Sequence, residues 1–151
     1  TGLYNRRCFY QYIHNNRGGR TVSLMYIDLD RFKEVNDTYG HKVGDAVLVH
    51  TADVLRRLFR DDFVARLGGD EFLVVRLGKC SMDQMEQEAE AFLKEMRTAF
   101  LAAEQTVSLS ASVGIAQSSD SMVDIDALLQ RSDQALYQAK KAGRSRYCVY
   151  R

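Results

Sequence analysis

The sequence contains no proline, little net charge and no long hydrophobic run. None of its apolar runs approaches the roughly 20 residues of a membrane-spanning helix, and no secretory leader is visible. The 151 residues carry a net charge of +1, which gives no reason to expect a nucleic-acid duplex or an anionic membrane as the main partner. We therefore expect a segment that binds no nucleic acid and makes no membrane contact.

Cysteine is also scarce. Cys8, Cys80 and Cys148 are odd in number and lack the spacing of a metal site, so we expect reduced, cytoplasmic thiols. A composition of 46% apolar and 27% charged residues is typical of one globular domain with a hydrophobic core, here residues 1–151. Because the chain starts at Thr1 without a methionine, we expect a fragment of a longer multidomain protein, and a membrane-anchored parent stays open.

The most informative stretch is the turn at residues 66–72. Gly68 and Gly69 separate two short apolar runs, which predicts a β-hairpin whose turn uses the positive φ that glycine tolerates. Asp70 and Glu71 follow directly, and adjacent carboxylates repel each other unless a cation, most simply a metal ion, lies beside them. By itself, this stretch favours a solvated turn followed by surface acids.

Before this turn, the sequence predicts helices around one buried strand. Asn5 is a helix cap, and the nearly continuous apolar run 21–27 predicts a central strand that ends in Asp28, Leu29 and Asp30, where sheets tend to hold ligands. Residues 31–45 predict a short helix and then a polar loop with two glycines, after which Asp45 caps a longer helix.

After the turn, the predicted elements are a helix, a strand, a helix and an edge strand. A capping box at residues 81–84 opens a helix with Met85, Ala89, Phe92, Met96 and Phe100 on one face. Strict alternation over residues 107–115 predicts a strand, and Gly143 ends a last amphipathic helix before the edge strand 146–150.

These elements predict an α+β fold with a mostly antiparallel central sheet flanked by helices. Its core would be a ferredoxin-like, palm-type βαββαβ arrangement with an added hairpin. The first strand would lie beside the hairpin, so that Asp28 comes near Asp70 and Glu71. Such carboxylates bind Mg²⁺ or Mn²⁺, which take further ligands from nucleotide phosphates, and Lys33, Lys140 and Arg144 could bind those phosphates. By spacing alone, the basic residues 140–146 favour a solvated helix end that offsets the helix dipole.

Residues 68–72 spell the Gly-Gly-Asp-Glu-Phe motif, and the chain resembles the GGDEF family of diguanylate cyclase domains. The resemblance covers nearly the whole chain in order. Matching segments lie at residues 1–7, 28–33, 36–41, 44–45, 68–72, 112–114, 135–140 and 143–144.

The resemblance implies a cytoplasmic enzyme that condenses two GTP into cyclic di-GMP and two pyrophosphates. Two copies of the domain, in a transient or regulated homodimer, would face each other, and a regulatory sensor domain would lie outside this chain. The metal would be Mg²⁺ or Mn²⁺. The implied metal-binding residues are Asp28, Leu29, Asp70 and Glu71. The implied catalytic residues are Asp70, Glu71 and Lys33. The implied substrate-binding residues are Asn36, His41, Asp45, Gly68, Gly69, Lys140 and Arg144.

The chemistry of these residue types agrees with the implied roles. A carboxylate at Asp45 can accept hydrogen bonds from guanine N1–H and the exocyclic amine, a paired donor edge that adenine lacks, and Asn36 can both donate and accept. Lys33, Lys140 and Arg144 would hold phosphates. Asp45 could also serve as a helix cap.

One segment departs from the family pattern. Many members carry an Arg-x-x-Asp site for inhibition by product. Here Asp62 keeps the aspartate, but Phe59 stands at the arginine position and Arg60 is one residue out of register. We predict a defective inhibitory site, with weak or absent feedback by cyclic di-GMP.

Two other functions stay open. One is a catalytically silent module that binds GTP and regulates a neighbouring domain. The other is a nucleotide polymerase or adenylyl-type cyclase on a similar sheet, against which Asn36 and Asp45 argue. The sequence does not indicate the activating signal or the flanking domains.

Overall fold

The computed structural model of the protein describes residues 2–102, 104–118 and 124–151. Thr1, the first residue of the predicted opening segment, lies outside the described residues. The helices and strands of the described part are α1 (Arg6–Asn16), β1 (Val22–Leu29), α2 (Phe32–Tyr39), α3 (His41–Leu58), β2 (Phe63–Gly68), β3 (Glu71–Leu77), α4 (Met82–Met96), β4 (Phe100–Ala102), β5 (Gln105–Val107), β6 (Ala111–Gln117), α5 (Ile125–Lys141) and β7 (Tyr147–Val149). In this part of the chain no helix is long and apolar enough to cross a bilayer.

The main sheet has five strands in the order β2-β3-β1-β6-β7. β1 pairs antiparallel with β3 and with β6, β2 pairs antiparallel with β3, and β7 pairs parallel with β6. In this sheet β3 lies between β1 and β2, the two strands that are joined through α2 and α3. A strand inserted between two such strands is the split β-α-β arrangement that the sequence predicts. The expected α+β fold is confirmed.

Helices cover both faces of this sheet. Met25, Ile27 and Leu29 of β1 belong to the hydrophobic cluster that includes α3 and α4, whereas Leu24 and Tyr26 belong to the cluster that includes α1 and α5. Every residue of β1 is buried, which explains why its sequence is mostly apolar without alternation.

Several helix ends follow the sequence closely. The side chain of Asn5 accepts a hydrogen bond from the Cys8 amide at 2.9 Å and begins α1. Ser81 accepts one from the Gln84 amide at 3.1 Å and begins α4. These pairings satisfy amide groups that the first turn of a helix leaves without partners.

The prediction that Asp45 caps a helix is wrong. α3 begins at His41, so residues 41–45 are helical and Asp45 lies in the second turn. Gly40, with φ 93°, lets the chain pass from α2 into α3 without the predicted loop, and no side chain caps α3.

Two further predictions about the second half are corrected. α4 ends at Met96, and Phe100 lies instead in β4, where its ring stacks on His50 with centroids 4.2 Å apart. The predicted strand 107–115 is interrupted, since β5 ends at Val107 and β6 begins at Ala111. The interruption follows from Ser110, whose backbone and side chain both bond to Asp30 beyond the end of β1.

Candidate active site

Two carboxyl groups meet where β1 ends. The register of β1 and β3 places Asp28 opposite Glu71, and the Leu29 amide donates to the Asp70 carbonyl at 3.2 Å. The prediction that Asp28 lies near Asp70 and Glu71 is therefore confirmed. Burial and the neighbouring Asp28 carboxylate raise the pKa of Asp70 to about 6, because both effects disfavour a second negative charge.

The Asp28 carboxylate is only partly satisfied. Lys140 reaches it from α5, and its Nζ donates to Asp28 Oδ2. The other oxygen, Asp28 Oδ1, is buried and has no hydrogen-bond partner among the described residues. A buried acceptor without a partner is costly, and a bound cation would supply the missing interaction.

These groups fit a hard divalent cation. Asp28, Asp70 and the carbonyl of Leu29 at the end of β1 offer oxygen ligands, which Mg²⁺ and Mn²⁺ prefer. In the described part of the chain no group of three His, Cys, Asp or Glu side chains converges as a metal site. A carboxylate pair suits magnesium, which usually binds few protein groups and completes its shell with water and substrate phosphates.

Glu71 is held by a different partner. The Tyr26 hydroxyl donates to Glu71 Oε2 at 3.0 Å, and burial followed by the Glu71 charge raises the pKa of Tyr26 to about 12. Glu71 and Lys140 both line an open cavity of about 430 Å³ whose remaining wall is α5. Two carboxylates, Glu71 and Asp133 of α5, therefore line this cavity beside the Asp28–Asp70 pair.

The turn above these acids is open to a ligand. Gly69 has φ +43°, and Arg66 Nε donates to the Gly69 carbonyl at 2.9 Å, which fixes the turn. Apart from the adjoining residues of the chain, a Cβ atom added to Gly68 or Gly69 would have no atom within 4 Å. The backbone of the turn is thus accessible.

Asn36 and Asp45 form a second group, on α2 and α3. A Cβ atom on Gly44 would lie 1.8 Å from Asn36 Oδ1, so the Asn36 carboxamide rests directly on the backbone of α3 next to Asp45. Asn36 is half-buried and Asp45 is exposed. The two residues assigned to guanine are therefore neighbours, and the contact depends on glycine at position 44.

The remaining predicted site residues lie at helix ends. Lys33 is in the first turn of α2 and His41 is the first residue of α3; both are exposed. Arg144 follows the end of α5 with φ +63°. Lys140 is therefore within α5, whereas Arg144 lies beyond its end with a non-helical backbone.

Asp30 is an organising residue that sequence reasoning missed. Its carboxylate accepts hydrogen bonds from Ser110 Oγ at 2.6 Å, Ser112 Oγ at 2.7 Å and the Ser145 amide at 3.0 Å. It thus fixes the segments before β6 and after α5 beside the end of β1. A single acid and distant serines give no sequence signal of this pairing.

In the segment of the predicted inhibitory site, Asp62 is paired with another residue of the chain. Phe59 is buried, and Asp62 forms an ion pair with Arg76, whose Nη2 lies 2.5 Å from Asp62 Oδ2. Arg76 Nη1 also donates to Glu88 Oε2 at 2.6 Å. Sequence reasoning named Phe59 and Asp62 but missed Arg76, which lies fourteen residues beyond Asp62.

Comparison with known proteins places this arrangement in a family. The profile described as "Diguanylate cyclase, GGDEF domain" matches residues 1–146. The chain is 39% identical to cyclic di-GMP phosphodiesterase PdeR of Escherichia coli, covering 99% of this chain and 23% of PdeR. It is 36% identical to diguanylate cyclase DgcS of Shewanella oneidensis, covering 97% of this chain and 50% of DgcS.

A solved structure supports the same placement. The GGDEF domain of YfiN (TpbB) from Pseudomonas aeruginosa superposes with a TM-score of 0.88 at 34% identity, covering 99% of this chain and 98% of that domain. The chain thus spans half or less of the two relatives PdeR and DgcS but nearly all of one solved domain.

Proposed function

Because this chain belongs to the GGDEF family of diguanylate cyclase domains, we propose that it condenses two GTP molecules into cyclic di-GMP and two pyrophosphates. The observation that carries the proposal is the Asp28–Asp70 pair at the end of β1. The buried, unpartnered Oδ1 of Asp28 and the raised pKa of Asp70 both favour a divalent cation there.

The reaction balances without a further reactant. Each ribose 3′-oxygen forms a bond to the α-phosphorus of the other GTP, the bond from that phosphorus to the bridging oxygen breaks, and pyrophosphate leaves with the electron pair. The proton of each hydroxyl is released to a nearby base, and the Glu71 carboxylate beside the cavity is placed to accept it. A Mg²⁺ or Mn²⁺ ion bound by Asp28, Leu29 and Asp70 would polarise the α-phosphate and lower the pKa of the hydroxyl.

Other residues of the chain position the substrate. Lys33, in the first turn of α2, combines a positive charge with the amide groups of a helix N-terminus, a combination that suits phosphate. Lys140 pairs with Asp28, and its ammonium group can bind a phosphate instead when a metal ion replaces it beside Asp28. Arg144 is exposed beyond α5 and can reach a nucleotide from that side.

Guanine recognition is proposed for the group on α2 and α3. Asp45 can accept from guanine N1–H and the 2-amino group, and Asn36 beside Gly44 can serve the other edge. His41, exposed at the start of α3, would contact the same nucleotide. This pairing favours GTP over ATP.

The proposed enzyme works as two copies. One domain holds one GTP, so both substrates meet only when two domains face each other. We propose that the chain is a module of a longer protein whose regulatory region brings the copies together. Its three free thiols support a cytoplasmic location.

We also propose that cyclic di-GMP does not inhibit through Asp62. Its carboxylate is paired with Arg76, and Phe59 is buried in the core, so neither offers a free group to a dinucleotide. Arg60 is exposed but lies one position away from the family's arginine.

A regulatory module without catalysis is the second candidate. The observation that favours it is the 39% identity to PdeR, a protein named as a phosphodiesterase although the matched segment is related to cyclases. In that case the chain would bind GTP and leave chemistry to another domain.

The test is formation of cyclic di-GMP from GTP and Mg²⁺ over a range of protein concentrations, with and without fusion to a dimerising coiled coil. Product should rise faster than linearly with unfused protein, and Asp70→Asn should abolish it. Asp83→Asn, an exposed aspartate in the first turn of α4, is the matched control and should keep full activity. Binding of GTP without turnover in the fused protein would establish the regulatory module instead.

A further inference from the structure

The carboxylates of Asp70 and Glu71 are adjacent in sequence but have different partners. Asp70 lies against Asp28, whereas Glu71 Oε2 accepts the Tyr26 hydroxyl at 3.0 Å. Among the described residues, no third carboxylate joins the Asp28–Asp70 pair to form a metal-binding cluster. The direction of the Glu71 side chain is therefore set by its hydrogen bond with Tyr26.

The strand geometry makes this contact specific. Tyr26 lies two residues before Asp28 on β1, so the two side chains share one face of the sheet. Tyr26 is opposite Leu73 and Asp28 is opposite Glu71, which makes the contact of Tyr26 with Glu71 a diagonal pair across the two strands. An aromatic side chain with a terminal hydroxyl is long enough to span such a diagonal.

The hydroxyl is also well fixed. The Tyr26 residue is 6% exposed and packs in the cluster between the sheet, α1 and α5. A buried ring has little freedom, so its hydroxyl is a donor at a constant position. One Glu71 oxygen is thereby occupied, and the rest of the carboxylate lines the cavity beside Lys140.

We propose that Tyr26 is a positioning residue for the reaction: it holds Glu71 out of the Asp28–Asp70 metal pair and directs it to the cavity, where Glu71 meets the attacking hydroxyl. This inference rests on the proposed cyclase function and assigns Glu71 to proton acceptance rather than to metal binding. Phenylalanine at position 26 would fill the same space and leave Glu71 free to swing toward Asp28.

The first test compares steady-state kinetics of Tyr26→Phe with the wild-type protein, both fused to a dimerising coiled coil. We expect kcat to fall by about 10-fold to 100-fold while KM for GTP changes by less than about 2-fold, because the loss affects orientation and not substrate binding. The loss should disappear in a Glu71→Gln background, where Tyr26 no longer has a carboxylate to position.

Tyr10→Phe is the matched control. It removes a hydroxyl that donates to a carboxylate oxygen, Asp126 Oδ1, at 2.7 Å. Asp126 precedes Lys140 by fourteen residues on α5, which is roughly 20 Å along the helix axis. This variant should keep the wild-type kcat.

A second readout does not depend on turnover. Without nucleotide, Mg²⁺ should raise the melting temperature of Tyr26→Phe more than that of the wild type, because a freed Glu71 can join Asp28 and Asp70 in binding the ion. The double variant Tyr26→Phe/Glu71→Gln should show the same Mg²⁺-induced shift as the wild type. Equal Mg²⁺ shifts in wild type and Tyr26→Phe would overturn the inference, as would an unchanged kcat or an equal kcat loss in the Glu71→Gln background. A wild-type fusion without turnover would instead refute the cyclase proposal, and the Mg²⁺ shifts would still test the role of Tyr26.

Discussion

Replacing Asp70 by asparagine should stabilise the metal-free protein while it removes activity. The Asp70 carboxyl has its pKa raised from 3.8 to about 6, first by burial and then by the Asp28 charge. Ionised Asp70 therefore opposes folding at neutral pH, and a neutral amide that can donate to Asp28 does not.

The size and pH dependence of this effect follow from linkage. A shift from 3.8 to about 6 corresponds to about 3 kcal/mol, and solvent screening of a half-buried group reduces this to about 1–2 kcal/mol. Because the pKa is raised on folding, the favourable contribution is complete below the unfolded value of 3.8 and is lost as the pH rises through about 6. Asp70→Asn should therefore exceed the wild type in stability at pH 8, with the difference vanishing near pH 4.

The assay is urea unfolding of both proteins at pH 4 and pH 8, in EDTA and then with Mg²⁺. Mg²⁺ should stabilise the wild type and close the gap at pH 8, because the ion binds the ionised pair and not the amide. Equal stability at pH 8 in EDTA, or a less stable variant, would refute the assignment of electrostatic strain to this pair.

Other substitutions test the remaining features. Arg76→Met should lower the free energy of unfolding by about 2–3 kcal/mol in urea titrations, because it leaves Asp62 and Glu88 without their cation; a loss below about 1 kcal/mol would contradict a tight ion pair. Gly44→Ala should raise KM for GTP about tenfold by displacing the Asn36 carboxamide while helix propensity keeps the melting temperature near that of the wild type; an unchanged KM would remove Asn36 from guanine recognition. Added cyclic di-GMP should leave the initial rate within about twofold, and a strong fall would contradict the expectation of weak feedback by product.

Local patterns were enough to predict most elements. The caps at Asn5 and Ser81 and the turn at residues 68–69 are confirmed because a few neighbouring residues decide each of them. The buried strand β1 was predictable for a related reason: only a strand covered on both faces needs eight consecutive buried positions.

The wrong predictions arise where residues distant in the sequence decide where a helix or strand begins or ends. Aspartate is a favoured residue at helix N-caps, yet Gly40 allows α3 to begin earlier and leaves Asp45 inside the helix. Phe100 fits the apolar period of α4, but stacking on His50 of α3 places it in β4 instead. Propensity and periodicity describe each segment alone, and tertiary packing overrides them.

By itself, the sequence determined the chemistry available at the site: carboxylates after a buried strand and after a Gly-Gly turn, with Lys140 near the end of a helix. Only the tertiary structure decided how these groups are paired. The register of β1 and β3 joins Asp28 to Asp70 and turns Glu71 toward Tyr26, and the packing of α5 brings Lys140 to Asp28. The sequence gives the identity of each side chain directly. The pairing of side chains across strands depends instead on register and on helix packing, which are set by the burial of the whole core.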